Sequence, residues 1–220
     1  KRVLTAAESH HIKQRAKATS QTINDRVMEA FFLAIEEWNV RFNLANSGRL
    51  IRLMIPMNLR GKPVESTANM VAMINFDRKV GRWKSLKWFR TILRWEMSAV
   101  KRLRVGVTAN RFLWLQKRIL GHWPIQTKTD RCLASCLVSN LGQLSHHLNA
   151  DAAGQTLFGG LPIQKFQVTA PLRPHSNLFV CLYSHQQRLN LDVTYNQMVL
   201  DVKQVEFMLD TVQRLLLSED

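Results

Sequence analysis

The stretch from Arg49 to Asp77, RLIRLMIPMNLRGKPVESTANMVAMINFD, limits what this chain can fold into more than any other. Two almost unbroken apolar runs, Leu50–Ile55 and Met70–Phe76, flank a polar connection that holds Pro56, Gly61 and Pro63. Short runs of this kind, bounded by turn residues, read as buried strands rather than helices. The expectation is two buried strands joined by a turn-rich connection. Asn58 and Arg60 fall where the first strand leaves the dry layer, the position at which loops usually carry function.

The elements on either side fit a layered design. Thr5 to Lys17 reads as a polar helix, with Thr5 as its cap and Glu8 three residues on. Its adjacent His10 and His11 diverge by about 100° on a helix, and no acid follows at useful spacing, so they read as solvated side chains. A better specified helix is TINDRVMEAFFLAIEEW. Thr22 caps it, Asp25 stands near the positive end of the dipole, and Ile23, Val27, Phe31, Ala34 and Trp38 share one face. Beyond the strand pair, Leu86, Trp88, Phe89, Ile92, Leu93, Trp95, Met97, Val100 and Leu103 fill a wide apolar arc of a third helix. Lys87, Arg90, Arg94 and Lys101 cluster opposite as a basic surface. Glu96 projects into the apolar arc and therefore needs a basic partner across the packing interface.

Thr108 is expected to cap a shorter helix, Ala109 to Leu120, closed by Gly121 with Pro124 soon after. An apolar strand, Cys132 to Val138, ends in Ser139-Asn140-Leu141-Gly142, and further strands follow at Ile163–Val168, Leu178–Ser184 and Leu189–Tyr195. The last of these alternates Leu189, Leu191, Val193 and Tyr195, which predicts one wet face. A helix from Val202 to Leu217 comes last. With 220 residues the chain can build one substantial core or at most two small ones. The order of elements gives an α/β domain, a layered mixed β-sheet flanked by helices.

The net charge of +15 is unevenly spread: Arg78 to Arg118 holds thirteen lysines and arginines against a single acid, Glu96. Such a segment reads as one face of one element. It can be a solvated face, or a membrane-surface or anionic-cofactor contact, since tryptophans beside arginines suit a lipid interface. Nucleic acid is the least favoured partner, because stacking platforms usually put exposed aromatics on strands or loops. Cys132, Cys136 and Cys181 are an odd number in apolar surroundings, which points to buried thiols in a reducing, cytoplasmic compartment, with peripheral membrane contact as an open alternative. Zinc ligands normally come as four residues in turn-like pairs, so no metal is expected. No apolar run approaches the roughly 18 residues of a membrane span, and no phosphate-binding glycine loop or hydrolase elbow is present. The chain opens Lys-Arg-Val without an initiator Met, and its first element reads as the middle of a larger protein.

Several of these motifs carry a resemblance. An apolar strand ending in Pro56-Met57-Asn58-Leu59-Arg60, followed by an Asn-containing strand, resembles the second half of acyltransferases with the chloramphenicol acetyltransferase fold, the CoA-dependent acyltransferase superfamily. Condensation domains of nonribosomal peptide synthesis, wax ester synthases and alcohol acetyltransferases share that fold. Thr22-Ile23-Asn24-Asp25 is similar to the T-(V/I)-N-D motif opening the corresponding helix, and Ser139-Asn140-Leu141-Gly142 resembles the turn after a tunnel-lining strand in wax ester synthases. His146, His147 and Asp151 mimic the spacing of the H-H-x-x-x-D-G signature, whose second His is the general base, but Ala152 replaces the Gly and the segment lies well after the motif's usual place.

The resemblance implies that residues 1–220 are the C-terminal lobe of a two-lobed enzyme, with 85–120 as its basic amphipathic segment. That enzyme moves an acyl group from a thioester, on CoA or the phosphopantetheine arm of an acyl carrier protein, to an amine or hydroxyl. The donor is a substrate, and no bound cofactor is expected. The main catalytic His would lie on an N-terminal partner lobe, with His147 a minor candidate here. Ser139 and Asn140 would contact the oxyanion or the acceptor. Asn24, Asp25, Asn58 and Gly142 would shape the lobe, and Arg60 would hold the Asp of the His motif across the lobe interface. The competing reading is a non-catalytic domain, derived from such a lobe, that binds a carrier, a lipid surface or a partner subunit.

Overall fold

The computed structural model describes residues 1–42, 50–59, 71–81, 86–121, 133–144, 156–172 and 176–218. Arg60, Cys132, His146, His147 and Asp151 lie outside them. The first strand, β1 (Arg2–Val3), leads into α1 (Ala6–Ala18) and α2 (Ile23–Arg41). Both helices open as their sequences predict, with reciprocal capping between Thr5 and Glu8 and between Thr22 and Asp25. Each box satisfies two otherwise orphaned N–H groups, which fixes where the helix starts. There follow β2 (Leu50–Asn58), β3 (Val71–Lys79), α3 (Leu86–Arg102), α4 (Val105–Leu120) and β4 (Cys136–Gln143). A short hairpin of β5 (Leu157–Phe158) and β6 (Leu161–Pro162), then β7 (Leu178–His185), β8 (Arg188–Tyr195) and α5 (Val202–Leu217) complete the chain.

The main sheet is mixed and six-stranded, in the order β1-β8-β7-β4-β2-β3. The β2–β4 and β4–β7 junctions are parallel and the others antiparallel. One core fills the space between one face of this sheet and the helices. Ile51 and Leu53 of β2, Cys136 and Val138 of β4, and Leu178, Val180 and Leu182 of β7 meet Val27, Phe31 and Phe32 of α2 there. Phe31 and Phe32 are wholly excluded from solvent, each contributing about 2–3 kcal/mol of hydrophobic transfer. The α2 helix is buried on almost every side, Arg26 and Glu29 included. Arg90 of α3 donates from Nε to Glu29 at 2.6 Å, so it is an inward ion-pair partner and not part of a basic surface. Glu96 has the basic partner its position required, Arg78 of β3 at 2.6 Å, whose guanidinium also lies over the Phe32 and Phe89 rings.

Several expectations are corrected. The strands β2 and β3 are half-buried, because helices cover one face while Arg52 and Asp77 pair in bidentate fashion on the other. On α3 the buried stripe is only as wide as one packing partner needs, Phe89, Leu93 and Met97, so Trp88, Trp95 and Leu103 face outward. Thr108 caps nothing: α4 begins at Val105, set off from α3 by Arg104 in the left-handed region at φ 48°. The segment 163–168 is not a strand, and β8 lacks a wet face. Asn190 and Asp192, the polar residues of its alternation, are buried. Asp192 Oδ2 accepts from Val168 N and from the Tyr183 hydroxyl, each at 2.7 Å, while Lys1 Nζ stands 3.6 Å from Oδ1. The irregular segment thus spends backbone polarity on side chains of β7 and β8 and covers part of that face of the sheet. Burial, with the Asp192 carboxylate beside it, holds the Tyr183 phenol well above the usual range.

Candidate functional site

Two parallel junctions in one sheet behave differently, and the site lies at the weaker. The strands β4 and β7 stay in register from Leu137↔Phe179 to Asn140↔Leu182 and rejoin at Gln143↔Ser184. Pairing of β2 with β4 comprises Leu53↔Cys136 and Met54↔Leu137. Past those rungs β2 continues against β3 as far as Asn58↔Val71, and β4 continues against β7. The C-terminal ends of two parallel neighbours therefore separate, the place where open α/β sheets form binding crevices.

A cavity of about 460 Å³ occupies this end, lined by Asn24, Ile55 to Leu59, Met97, Lys101, Arg104 and Val107. Asn24 reaches it from the first turn of α2, beside the capping box. On β4, alternation puts Asn140 on the same face as Cys136 and Val138, at the polar end of an apolar row. There its Nδ2 donates to Asn24 Oδ1 at 2.8 Å, and its Oδ1 accepts from Gly142 N at 2.7 Å. Gly142 has φ 72°, a conformation in which a β-carbon would be strained. The S-N-x-G sequence is thus an irregular strand end, within β4 and not after it, that fixes one carboxamide against another. Asn140 Nδ2 and Oδ1 each make one bond, and the Asn24 amide N–H groups, with the Lys101 and Arg104 side chains, can donate to an occupant.

The structure brings together Asn24, Asn58, Asn140, Gly142 and Lys101. Ser139 goes to the opposite face of β4, paired with Cys181. Asp25 is buried, and its Oδ2 accepts from Thr22 N at 2.8 Å in the helix cap. Its Oδ1 is buried without a hydrogen-bond partner among the described residues. Lys87 and Arg94 are exposed on α3, away from the cavity lining. His10 and His11 sit on α1, His10 exposed and His11 partly so.

Sequence reasoning missed Arg104, Met97 and Val107. The available signal was Gly106, a glycine inside a helical pattern, which often marks a close approach. A β-carbon there would lie 2.8 Å from Leu59 Cδ2 and 2.9 Å from Ala72 Cβ, so α4 docks on β2 and β3 through this glycine. Docking turns Arg104 and Val107 toward the cavity, beside a helix start that no side chain caps. The lining is apolar in depth and cationic at one rim, and its residues include no acid.

Neither described cysteine is a nucleophile candidate: burial raises the Cys136 thiol strongly and, with Asp192 adding to it, holds Cys181 at about 11, which leaves almost no thiolate at neutral pH. No group of His, Cys, Asp and Glu among the described residues is arranged to hold a metal.

No family model and no curated protein matches the sequence. Solved structures do match. A trichothecene 15-O-acetyltransferase from Fusarium sporotrichioides superposes with a TM-score of 0.66 at 15% identity, over 98% of this chain and 46% of the other. The epimerization domain from the third module of tyrocidine synthetase B gives 0.62 at 14% identity, over 98% and 46%. A wax ester synthase/diacylglycerol acyltransferase from Marinobacter aquaeolei VT8 gives 0.60 at 13%, again over 98% and 46%. The chain has the condensation-domain fold. These structures share it, and this chain spans a little under half the length of each of them. A fold common to an acetyltransferase and an epimerization domain does not dictate the reaction, which has to be argued from the site.

Proposed function

We propose that this chain is the C-terminal lobe of an acyltransferase that moves an acyl group from a CoA or carrier-protein thioester to an amine or hydroxyl. The observation that carries the reading is the parting of β2 from β4 over a cavity where Asn24 and Asn140 are locked together. The cavity's apolar depth, Ile55, Met57, Met97 and Val107, suits an acyl chain or a pantetheine arm. Carboxamide donors at its edge suit a carbonyl whose oxygen gains charge on attack. Lys101 and Arg104 at the rim suit the phosphate that such thioester donors carry.

On this reading the proton is removed by a His of a partner lobe, and this chain binds, orients and screens from water. Asn24 holds the oxyanion or the acceptor, Asn140 orients Asn24, and Asn58 marks the end of β2 at the cavity. Asp25, held in the α2 cap, acts as a lobe-shaping residue, and Ser139, on the opposite face of β4, has no part in contacting the oxyanion. The full polypeptide, assayed with acyl-CoA or acylated carrier donors, should turn over, and Asn24→Ala should lower kcat by about tenfold or more. Full activity in Asn24→Ala would remove the assignment of this cavity.

A further inference from the structure

The outer face of α3 has a composition that neither the core nor the cavity explains. Two rows of heptad spacing run side by side along it: Trp88, Trp95 and Arg102, and Lys87, Arg94 and Lys101. All six side chains are exposed, Trp88 by 67% and Trp95 by 70%. Glu96, the acid of α3, pairs with Arg78 of β3, and Glu29 of α2 pairs with Arg90. The surface is therefore cationic and aromatic with no opposing charge on the helix. An interface with another protein concentrates aromatics and arginine but depletes lysine from its buried centre. Alternating tryptophan and lysine on an exposed stripe matches instead a bilayer boundary, where indoles sit at headgroup level and long cationic side chains reach lipid phosphates.

We propose that this face of α3 seats on an anionic lipid surface. Lys101 belongs both to the stripe and to the cavity rim, so the seated helix brings the cavity mouth to the bilayer. On the acyl-transfer reading above, on which this last step rests, one substrate is a lipid-borne molecule taken from that surface.

The test is partition of the full polypeptide onto phosphatidylcholine vesicles with and without phosphatidylglycerol, without any acyl donor. Binding should need the anionic lipid and weaken as salt rises. In Lys87→Glu/Arg94→Glu, both residues exposed and outside the cavity lining, affinity should drop by about tenfold or more with an unchanged melting temperature. Trp95→Phe should remove part of the fluorescence blue shift on binding. No partition onto anionic vesicles, or equal binding by the charge-reversed variant, would overturn the proposal. So would a dimer that dissociates in Trp88→Ser/Trp95→Ser, because the stripe would then be a protein interface. Vesicle binding without acyl transfer would sink the enzymatic reading and leave this one standing. If both hold, the charge reversal should slow acylation of a vesicle-borne acceptor and spare a short soluble one.

Discussion

The two parallel junctions of the sheet set a closed region beside an open one. Around β7 and β8 the core lies on one face, and on the other Asp192, Tyr183, Lys1 and the segment through Phe166 and Val168 exchange hydrogen bonds beside a hollow of about 410 Å³ lined by Phe166, His185 and Asn190. Between β2 and β4 the ladder stops after two rungs, and the polar groups gathered there are carboxamides and cations around a void. Polar side chains in the first region bind one another, with Asp192 Oδ1 left to the charge of Lys1 at 3.6 Å alone, which makes it a clamp. In the second they leave donors over, and that makes it a place for a ligand.

The largest expected effect breaks the clamp. Asp192→Ala leaves the Tyr183 hydroxyl and the Val168 N–H without their shared acceptor, and should cost about 3 kcal/mol in denaturant unfolding while leaving ligand affinity at the cavity unchanged. Loss of ligand binding at conditions where the variant is folded would mean the two regions are not separate. Next comes Gly106→Ala, whose added methyl has no room against Ala72 Cβ. It should cost about 2 kcal/mol and, unlike Asp192→Ala, alter cavity affinity, since α4 must lift from β2 and β3. A double-mutant cycle of Asn24→Ala and Asn140→Ala should give a coupling in stability of about 1 kcal/mol or less, as the bond is solvent-accessible, but strongly non-additive losses in turnover.

The smallest effect tests the half-covered face of β2 and β3. The hydrogen bond from Arg52 lowers the pKa of Asp77, so the pair's contribution is present above the carboxylate's unfolded value of about 3.9 and is lost as pH falls through the folded one. With both side chains about one third exposed, solvent screening limits it to under about 0.5 kcal/mol. Asp77→Asn should melt slightly below the native chain at pH 6 and together with it near pH 2. A difference that persists in acid would show that the pair does more than exchange a proton.

Local chemistry made much of this protein legible in its sequence. The capping boxes at Thr5 and Thr22 were readable because the cap and its partner lie three residues apart, and the partner of Glu96 was foreseeable because a carboxylate on an apolar stripe has few tolerable fates. The apolar runs of β2, β3 and β7 announced a layered sheet, and the motifs at Asn24, Asn58 and Asn140 drew attention to three residues that the fold gathers at one end of it. Tertiary structure alone decided the rest. Asn24 and Asn140, 116 residues apart, meet because β4 lies beside β2 and under the start of α2. Neither the inward turn of Arg90 nor the covering of the β8 polar face could be read from a helical wheel or an alternation pattern, because both depend on which distant segment packs there. Periodicity says which side chains share a face. Only packing says whether that face meets water, a charge or another chain segment, because burial is a property of neighbours and not of spacing.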